Sequence, residues 1–168
     1  MARNWLIAQL NIAGALYPHD DSRMSTFFEQ LNDINALADS SLGFVWRLQS
    51  ESGNATDIQV GDDPLLIVNM SVWESVEALY DFAYKSAHRT VLADRKKWFK
   101  RPDEAYQVLW WVPAFHRPSV DEGMERLRLL QNLGPSPEAF TFKFKFPPPG
   151  VSGLPEDLEP EPYCSGWK

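Results

Sequence analysis

The chain has 168 residues, a formal net charge of −7 and one cysteine. This length suits a single domain with one hydrophobic core, and an acidic chain lacks the basic stripe that nucleic acid requires. No segment is long and apolar enough to span a membrane, and one cysteine cannot form an intrachain disulfide, which favours a reducing compartment. We therefore expect a cytoplasmic protein whose partners include neither nucleic acid nor a membrane.

The first half of the chain alternates between strand and helix patterns. Apolar and mixed positions alternate from Trp5 to Ile12, which predicts a first strand. Apolar residues recur at helical spacing from Met24 to Leu37, which predicts a first helix. A second strand, FVWRLQS, begins after Gly43, and a polar stretch separates it from a third strand.

The third strand, Leu65–Trp73, has two unlike faces, because successive side chains of a strand point to opposite sides of the sheet. The hydrocarbon face is formed by Leu66, Val68, Met70 and Val72. The mixed face is formed by Ile67, Asn69, Ser71 and Trp73. The hydrocarbon face is typical of a helix-packed core, and the mixed face is typical of a pocket wall.

A second helix region, which carries the only mid-chain histidine, His88, follows this strand. Ser75 is a good N-cap for it. The helix is expected to break or bend within Ser86–Arg89 and then to continue to Phe99. The segment Tyr106–Pro113 is apolar on both faces and predicts a fourth strand.

The last part of the chain adds one helix, one strand and a tail. Ser119 and Glu122 form a capping box at the start of the helix, and Gly134 is a helix stop signal. Alternating phenylalanines predict a strand from Ala139 to Phe146. We assign one domain to residues 1–146 and an extended or disordered, proline-rich acidic tail to residues 147–168.

The order of these elements is β-α-β-β-α-β, followed by a further helix and strand. This is the pattern of a ferredoxin-like α+β fold, with a four-stranded antiparallel sheet and two or three helices on one face. The other face would be open to solvent although it carries apolar residues such as Ile7 and Trp73. We therefore predict a homodimer in which two copies pack sheet to sheet about a two-fold axis.

Five segments resemble a bacterial family of unknown function: LIAQLNIA, GFVWRLQS, NMSVWESVEAL, VLWWVPA and PSPEAFTF. The resemblance covers Trp5 to Phe146, and its most specific motifs are W-E-S-x-E-A-L and L-W-W-V-P. That family looks like part of the dimeric α+β barrel superfamily, which includes antibiotic biosynthesis monooxygenases, haem-degrading monooxygenases, isomerases and decarboxylases. The resemblance implies two sheets that face each other across a dimer, with a pocket between each sheet and its helices or inside the barrel.

The polar side chains on one side of strands one and three are the first candidates for a ligand site. They are Gln9, Asn11, Asn69, Ser71 and Trp73. A few polar groups that converge in an apolar cavity orient a small-molecule ligand. The alternative is that these groups bond each other or water across a dimer interface, since buried amides need partners.

His88 is the candidate catalytic residue, because imidazole titrates near neutral pH and can act as a general base. It could also be an axial haem ligand, or a partly exposed histidine that bonds a neighbouring backbone group. The haem-degrading branch of the superfamily uses an asparagine, a tryptophan and a haem-bound histidine, which Asn11, Trp73 and His88 loosely resemble. A turn role is expected for His116, although the pattern leaves open which histidine faces the pocket.

A group of aromatic and cationic side chains could line the pocket as well. Its members are Trp46, Arg47, Tyr84, Arg95 and Trp98. Such side chains suit an anionic or polycyclic substrate. The alternative is that they serve in core packing and in surface ion pairs.

These observations predict a small-molecule-binding homodimer that acts as a cofactor-free, monooxygenase- or isomerase-like enzyme on a hydrophobic aromatic or polyketide-like metabolite. In this hypothesis His88 removes a proton, while Asn11, Asn69 and Ser71 hold the developing oxyanion. Two alternatives stay open. The protein could bind the same ligand without catalysis, or it could bind haem.

Overall fold

The computed structural model describes residues 4–86 and 88–152, without the side chains of residues 88 and 89. Four strands form one antiparallel sheet in this part of the chain: β1 (Trp5–Gly14), β2 (Phe44–Arg47), β3 (Leu66–Trp73) and β4 (Gln107–Pro113). Their order across the sheet is β2-β3-β1-β4. The predicted α+β class and the ferredoxin-like sheet are confirmed. Only residues 147–152 of the predicted tail are among those described.

Among the described residues, four α-helices accompany the sheet: α1 (Ser25–Ser40), α2 (Val76–Tyr80), α3 (His88–Asp94) and α4 (Val120–Leu133). Ser75 and Ser119 cap α2 and α4, and each hydroxyl accepts a hydrogen bond at 3.1 Å from the backbone N–H three residues later. A π-helical segment, Asp81–Lys85, continues α2 and ends at Ser86, where the sequence predicts a break. Within the described ranges, no helix has the length and apolarity needed to cross a bilayer.

The mixed face of the sheet is covered by α1, α2 and α3. Ile7 of β1 and Trp73 of β3 are cross-strand neighbours, and both are fully buried. The indole of Trp73 stacks on Phe82 with ring centroids 5.0 Å apart and meets Phe44 edge-on at 5.3 Å. The first three helices therefore lie on the face that was expected to be open.

The hydrocarbon face is covered by α4. Leu127 and Leu130 of this helix pack against the buried residues of that face. Gly123 permits the close approach, because a Cβ atom at this position would lie 2.5 Å from Leu10 Cδ1. Helices consequently occupy both faces of the sheet, and the expectation that they lie on one face holds only for α1, α2 and α3.

The argument that led to a sheet-to-sheet dimer is changed by this arrangement. Ile7 and Trp73 were expected to be exposed in a single chain, and they are 0% exposed without any partner copy. The other face is closed by α4 in the same chain. The open apolar face is therefore absent from the described part of the protein. The homodimer itself stays a prediction, which a single chain does not test.

The strand predicted from Ala139 to Phe146 is reduced to two isolated bridges, at Ala139 and at Phe140. Leu109 of β4 and Phe140 exchange two backbone hydrogen bonds, at 2.8 and 2.9 Å. The chain then bends, because the Thr141 hydroxyl accepts a hydrogen bond from the Phe144 N–H at 3.3 Å. This segment still covers the outer edge of β4 and buries Phe140 and Phe142.

Candidate functional site

A cavity of about 370 Å³ lies at the Gly14 end of the sheet, between α1, α3 and the strands. Its lining includes Asn11, Ile67 and Asn69 of the mixed face as well as Leu66 and Val68 of the hydrocarbon face. Its apolar walls come from three elements and from Phe99: the elements contribute Phe27 and Leu31 of α1, Ile67 of β3 and Val91 of α3. The residues 100–106, which lead into β4, close one side of it.

Two asparagines stand side by side in this cavity. Asn11 of β1 and Asn69 of β3 are direct cross-strand partners, and both line the cavity. Asn69 is exposed although it lies in the middle of a strand, because the cavity opens beside it. Within the described residues the Asn11 side chain makes no hydrogen bond, and Asn69 uses only its Oδ1 atom. Both amides therefore have hydrogen-bonding capacity left for a ligand.

The other polar groups of the mixed face bond each other behind the asparagines. Gln9 Nε2 donates to Ser71 Oγ at 3.0 Å and to Asn69 Oδ1 at 3.3 Å. Trp73 Nε1 donates to the same Ser71 Oγ at 2.9 Å, and Gln107 Nε2 approaches Gln9 Oε1 at 3.5 Å. Gln9, Ser71 and Trp73 are buried and do not line the cavity. They follow the alternative interpretation, but inside one chain and not across an interface.

Arg95 is one of two cationic candidates that line the cavity. It follows α3 directly, and its Nη1 donates to the Tyr106 hydroxyl at 2.8 Å. Arg47 also lines the cavity, but it is tied to Asp39 through contacts of 2.7 and 3.2 Å and to the Gly53 carbonyl at 2.7 Å. Arg47 therefore has a structural role, as the ion-pair alternative predicts.

The structure places three predicted lining residues away from the cavity. Trp46 pairs with Val72 and packs on the hydrocarbon face. Tyr84 packs among aromatic rings near α2, 5.6 Å from the ring of Phe142. Trp98 is buried, and its Nε1 donates to the Thr26 hydroxyl at 3.2 Å. All three serve in core packing, which was the alternative for this group.

The two histidine candidates have different outcomes. His88 is the first residue of α3, and its side chain lies outside the described residues. The next turn of the same helix contributes Val91 and Leu92 to the cavity. His116 lies beyond the far end of β4, where its Nε2 is 2.6 Å from Glu122 Oε2. His116 thus braces the start of α4 and has no place at the cavity.

The model of a family described as "Domain of unknown function (DUF3291)" matches residues 6–154. The chain belongs to this family. The family of unknown function that the sequence motifs predicted is thereby confirmed. No curated protein matches this DUF3291 chain.

Two solved structures from Nitrosomonas europaea are similar to the DUF3291 chain. One is the NE2512 protein of unknown function, which is 9% identical, with 69% of this chain and 95% of that chain covered and a TM-score of 0.43. The other is a provisionally named antibiotic biosynthesis monooxygenase. It is 13% identical, with 71% of this chain and 98% of that chain covered and a TM-score of 0.43.

The described lining residues offer few ligands for haem iron. They include no histidine, cysteine or methionine, and Tyr106 is the one residue type among them that ligates haem iron. Its hydroxyl already accepts a hydrogen bond from Arg95. The predicted axial ligand, His88, lies outside the described side chains, so haem binding stays a prediction. A Soret band on addition of haemin that is lost in His88→Ala would support it.

Several cavity residues were not among the sequence candidates. Phe27, Leu31 and Asn35 of α1 line the cavity at helical spacing. The signal was present, because Asn35 continues that apolar stripe with an amide. Nothing in the local pattern of Tyr106 or Lys100 marked them, since they reach the cavity through the path of the chain between α3 and β4.

Proposed function

We propose that this protein binds a small apolar molecule that presents an oxygen acceptor to Asn11 and Asn69. The observation that carries the proposal is the pair of adjacent amides, each with unused hydrogen-bonding capacity, in a cavity with apolar walls. Pockets that hold small ligands are mostly apolar with a few placed polar groups, and they measure roughly 300–1,000 Å³. The cavity of about 370 Å³ falls in this range.

The contrast between the two layers of polar residues supports this proposal. Gln9 and Ser71 are buried and satisfied by each other, as structural polar groups are. Asn69 lies two residues before Ser71 on the same face of β3 and is instead exposed to the cavity. Gln9 holds the Asn69 Oδ1 atom, which leaves the Asn69 Nδ2 group as a donor toward the cavity. A ligand carbonyl or oxyanion is the complement of that donor.

Binding can be tested with N-phenyl-1-naphthylamine, a neutral apolar dye whose fluorescence rises in apolar sites. The wild-type protein should give a saturable signal with one site per chain. Leu31→Trp should abolish the signal, because the indole fills the cavity. Leu133→Trp is the matched control, since Leu133 is 75% exposed and does not line the cavity. An unchanged dye affinity in Leu31→Trp would refute the proposed site.

The role of the amides can be tested by competition between two compounds that displace the dye. 2-Acetonaphthone and 2-ethylnaphthalene share their rings and differ in one carbonyl oxygen. One net hydrogen bond should favour the ketone by roughly threefold to tenfold. Asn69→Leu should remove this preference, and the exposed-surface control Asn32→Leu should keep it. Equal affinity of both compounds for the wild-type protein would contradict the role of the amides.

Catalysis is the second candidate function, and the adjacent donors at Asn11 and Asn69 favour it, because such donors stabilise an enolate oxygen. A base would take a proton from the carbon beside the ketone, the C–H electron pair would form a carbon–carbon double bond, and the π pair of the carbonyl would move onto the oxygen. His88 remains the predicted base, since it begins the helix whose next turn lines the cavity. This step needs no cofactor and precedes either isomerisation or oxygenation.

Proton removal can be measured without knowing the natural substrate. 2-Acetonaphthone in D₂O should exchange its methyl protons for deuterium faster with the protein than without it. The acceleration should fall in His88→Ala and in Asn69→Leu, while Asn32→Leu should keep it. If the wild-type protein binds the ketone and causes no exchange, the protein is a binding protein for this class of ligand and not an enolising enzyme.

A further inference from the structure

We infer that the natural ligand carries a hydrogen-bond donor beside its oxygen acceptor, as a lactam does, and that Asn35 of α1 binds this donor. This inference rests on the proposed function and adds a second polar group of the ligand to it. Asn35 lines the cavity together with Asn11 and Asn69. It is half-buried, and its side chain makes no hydrogen bond within the described residues.

Asn35 lies at the same level of the fold as Asn69. Asp39, one turn after Asn35, binds Arg47 of β2 at 2.7 Å. Arg47 is in turn the cross-strand partner of Ser71, which lies two residues after Asn69 on the same face of β3. A helical turn advances about 5.4 Å and two strand residues advance about 6.6 Å, so both asparagines are set back from the Arg47 ion pair by similar distances.

The two asparagines are also set back in the same direction, because α1 and β3 run the same way. Phe27, near the start of α1, shares a hydrophobic cluster with Ile67, near the start of β3. Ala38, near the end of α1, shares another cluster with Trp73, at the end of β3. The three cavity asparagines therefore converge from the sheet and from the helix that covers it.

The hydrogen-bonding capacity of these amides favours a ligand that has a donor. Each asparagine amide has one acceptor oxygen and two donor hydrogens. The Asn69 oxygen accepts from Gln9 at 3.3 Å, so its nitrogen is the end left for a ligand. The oxygens of Asn11 and Asn35 accept no hydrogen bond within the described residues. A ligand with acceptors alone would displace water from both oxygens and give them no partner, which weakens binding.

Asn35 is the amide that we assign to this donor. In the proposed function the ligand oxygen is bound by Asn11 and Asn69, which are direct cross-strand partners. Asn35 belongs to the helical wall of the cavity, so its partner is a neighbouring atom of the ligand. Both ends of its amide are free, and asparagine binds a donor and an acceptor that lie side by side, as it does at the edge of adenine. A carbonyl with an adjacent N–H is such a pair.

Two isomers that differ in one hydrogen-bond donor test the inference by displacement of N-phenyl-1-naphthylamine. 3-Methyl-2-quinolone has an N–H beside its carbonyl, and in 1-methyl-2-quinolone the methyl group replaces that hydrogen. The isomers share their rings, their carbonyl and their number of atoms. The wild-type protein should bind the 3-methyl isomer roughly threefold to tenfold more tightly, as one net hydrogen bond predicts. Asn35→Leu should reduce this ratio to near unity.

Three further variants separate the donor from other effects. Asn35→Asp should keep the preference, because a carboxylate oxygen still accepts the N–H. Asn32→Leu changes an exposed asparagine of the same helix that does not line the cavity, so it should keep the preference as well. Asn35→Ala should lose it, and this variant gives the same test if leucine blocks the cavity. Alanine and leucine are better helix formers than asparagine, so α1 should fold in both variants.

The possible outcomes separate this inference from the proposed function. If N-phenyl-1-naphthylamine does not bind at the cavity, or if 2-acetonaphthone has no advantage over 2-ethylnaphthalene, the proposed function fails and the inference fails with it. If both of those results are as proposed and the 3-methyl isomer binds no more tightly than the 1-methyl isomer, the proposed function stands and the ligand donor is refuted. A preference that persists in Asn35→Leu and in Asn35→Ala would refute the role of Asn35.

Discussion

At the scale of single residues, Gln9 connects the core to the candidate site. Its amide is buried between Ser71 and Asn69, to which it donates at 3.0 and 3.3 Å. Gln9 thereby separates two kinds of polar group on one sheet face, those that satisfy each other and those that are open to the cavity. It also fixes which end of the Asn69 amide a ligand meets.

Gln9→Met should destabilise the fold by roughly 1–3 kcal/mol, because it removes the two hydrogen bonds that Gln9 donates to Ser71 and Asn69. The free energy of unfolding from urea titration is the measurement. Gln59→Met, at an exposed position, is the control. The ketone preference in the dye competition should fall in parallel, since Asn69 is no longer held. A stable variant with an unchanged ketone preference would show that Gln9 does not position Asn69.

Asp21, which lies just before the helical segment that leads into α1, makes the stability of the fold depend on pH. Side-chain and backbone hydrogen bonds from Arg23 lower the pKa of Asp21 from 3.8 to about 2. Because the folded state has the lower pKa, the stabilising contribution is fully present above pH 3.8 and is lost as the pH falls through about 2. In Asp21→Asn the melting temperature should therefore be lower than that of the wild type at pH 7, and the difference should shrink between pH 4 and pH 2. Asp20→Asn is the control, and a difference that does not depend on pH would contradict the assignment.

At the scale of elements, the close contact between α4 and β1 closes the hydrocarbon face of the sheet. Gly123→Val should destabilise the protein by roughly 1–3 kcal/mol through overpacking, because even a Cβ atom would lie 2.5 Å from Leu10 Cδ1 and 3.3 Å from Met70 Sδ. Glu125→Val, at an exposed position of the same helix, should change stability by about 0.5 kcal/mol or less. Urea titration measures both variants. Equal effects would show that α4 does not pack closely here.

The sequence pattern predicted most of the strands and helices, but it did not predict which helices pack against each face of the sheet. Alternation identified both faces of β3 correctly, because the period of two is a local property. Which helix covers which face depends on the path of the chain, so α4 on the hydrocarbon face could not be predicted from periodicity. The register of β2 shifts between Phe44 and Trp46, and such a bulge changes the face that a residue occupies. This shift accounts for the error at Trp46.

Strand alternation also predicted part of the candidate site. Asn11 and Asn69 follow from strand alternation alone, and both line the cavity. Their distinction from Gln9 and Ser71 depends on where α1 and α3 diverge from the sheet, which no local pattern records. Tyr106 meets Arg95 across eleven positions of sequence through a loop, so this pair required the tertiary structure.

At the scale of the whole molecule, the homodimer is the prediction most affected by the fold. We still expect light scattering to give twice the chain mass of 19.2 kDa. Because both sheet faces are closed within one chain, the contact surface must lie elsewhere. Dilution to the monomer should therefore leave the near-ultraviolet circular dichroism of the buried tryptophans unchanged. The mass of a single chain at micromolar concentration would contradict the dimer, and a spectral change on dilution would contradict the closed sheet.

The central claim is that the cavity between α1, α3 and the Gly14 end of the sheet is the ligand site. The most direct measurement is the mapping of amide chemical shifts in ¹⁵N-labelled protein as N-phenyl-1-naphthylamine is added. We predict that the saturable shifts cluster at Asn11, at Asn69, in residues 27–35 of α1 and in residues 91–95, which end α3 and follow it. Shifts confined to exposed apolar positions such as Leu42 and Phe115, with none at the asparagines, would contradict the claim.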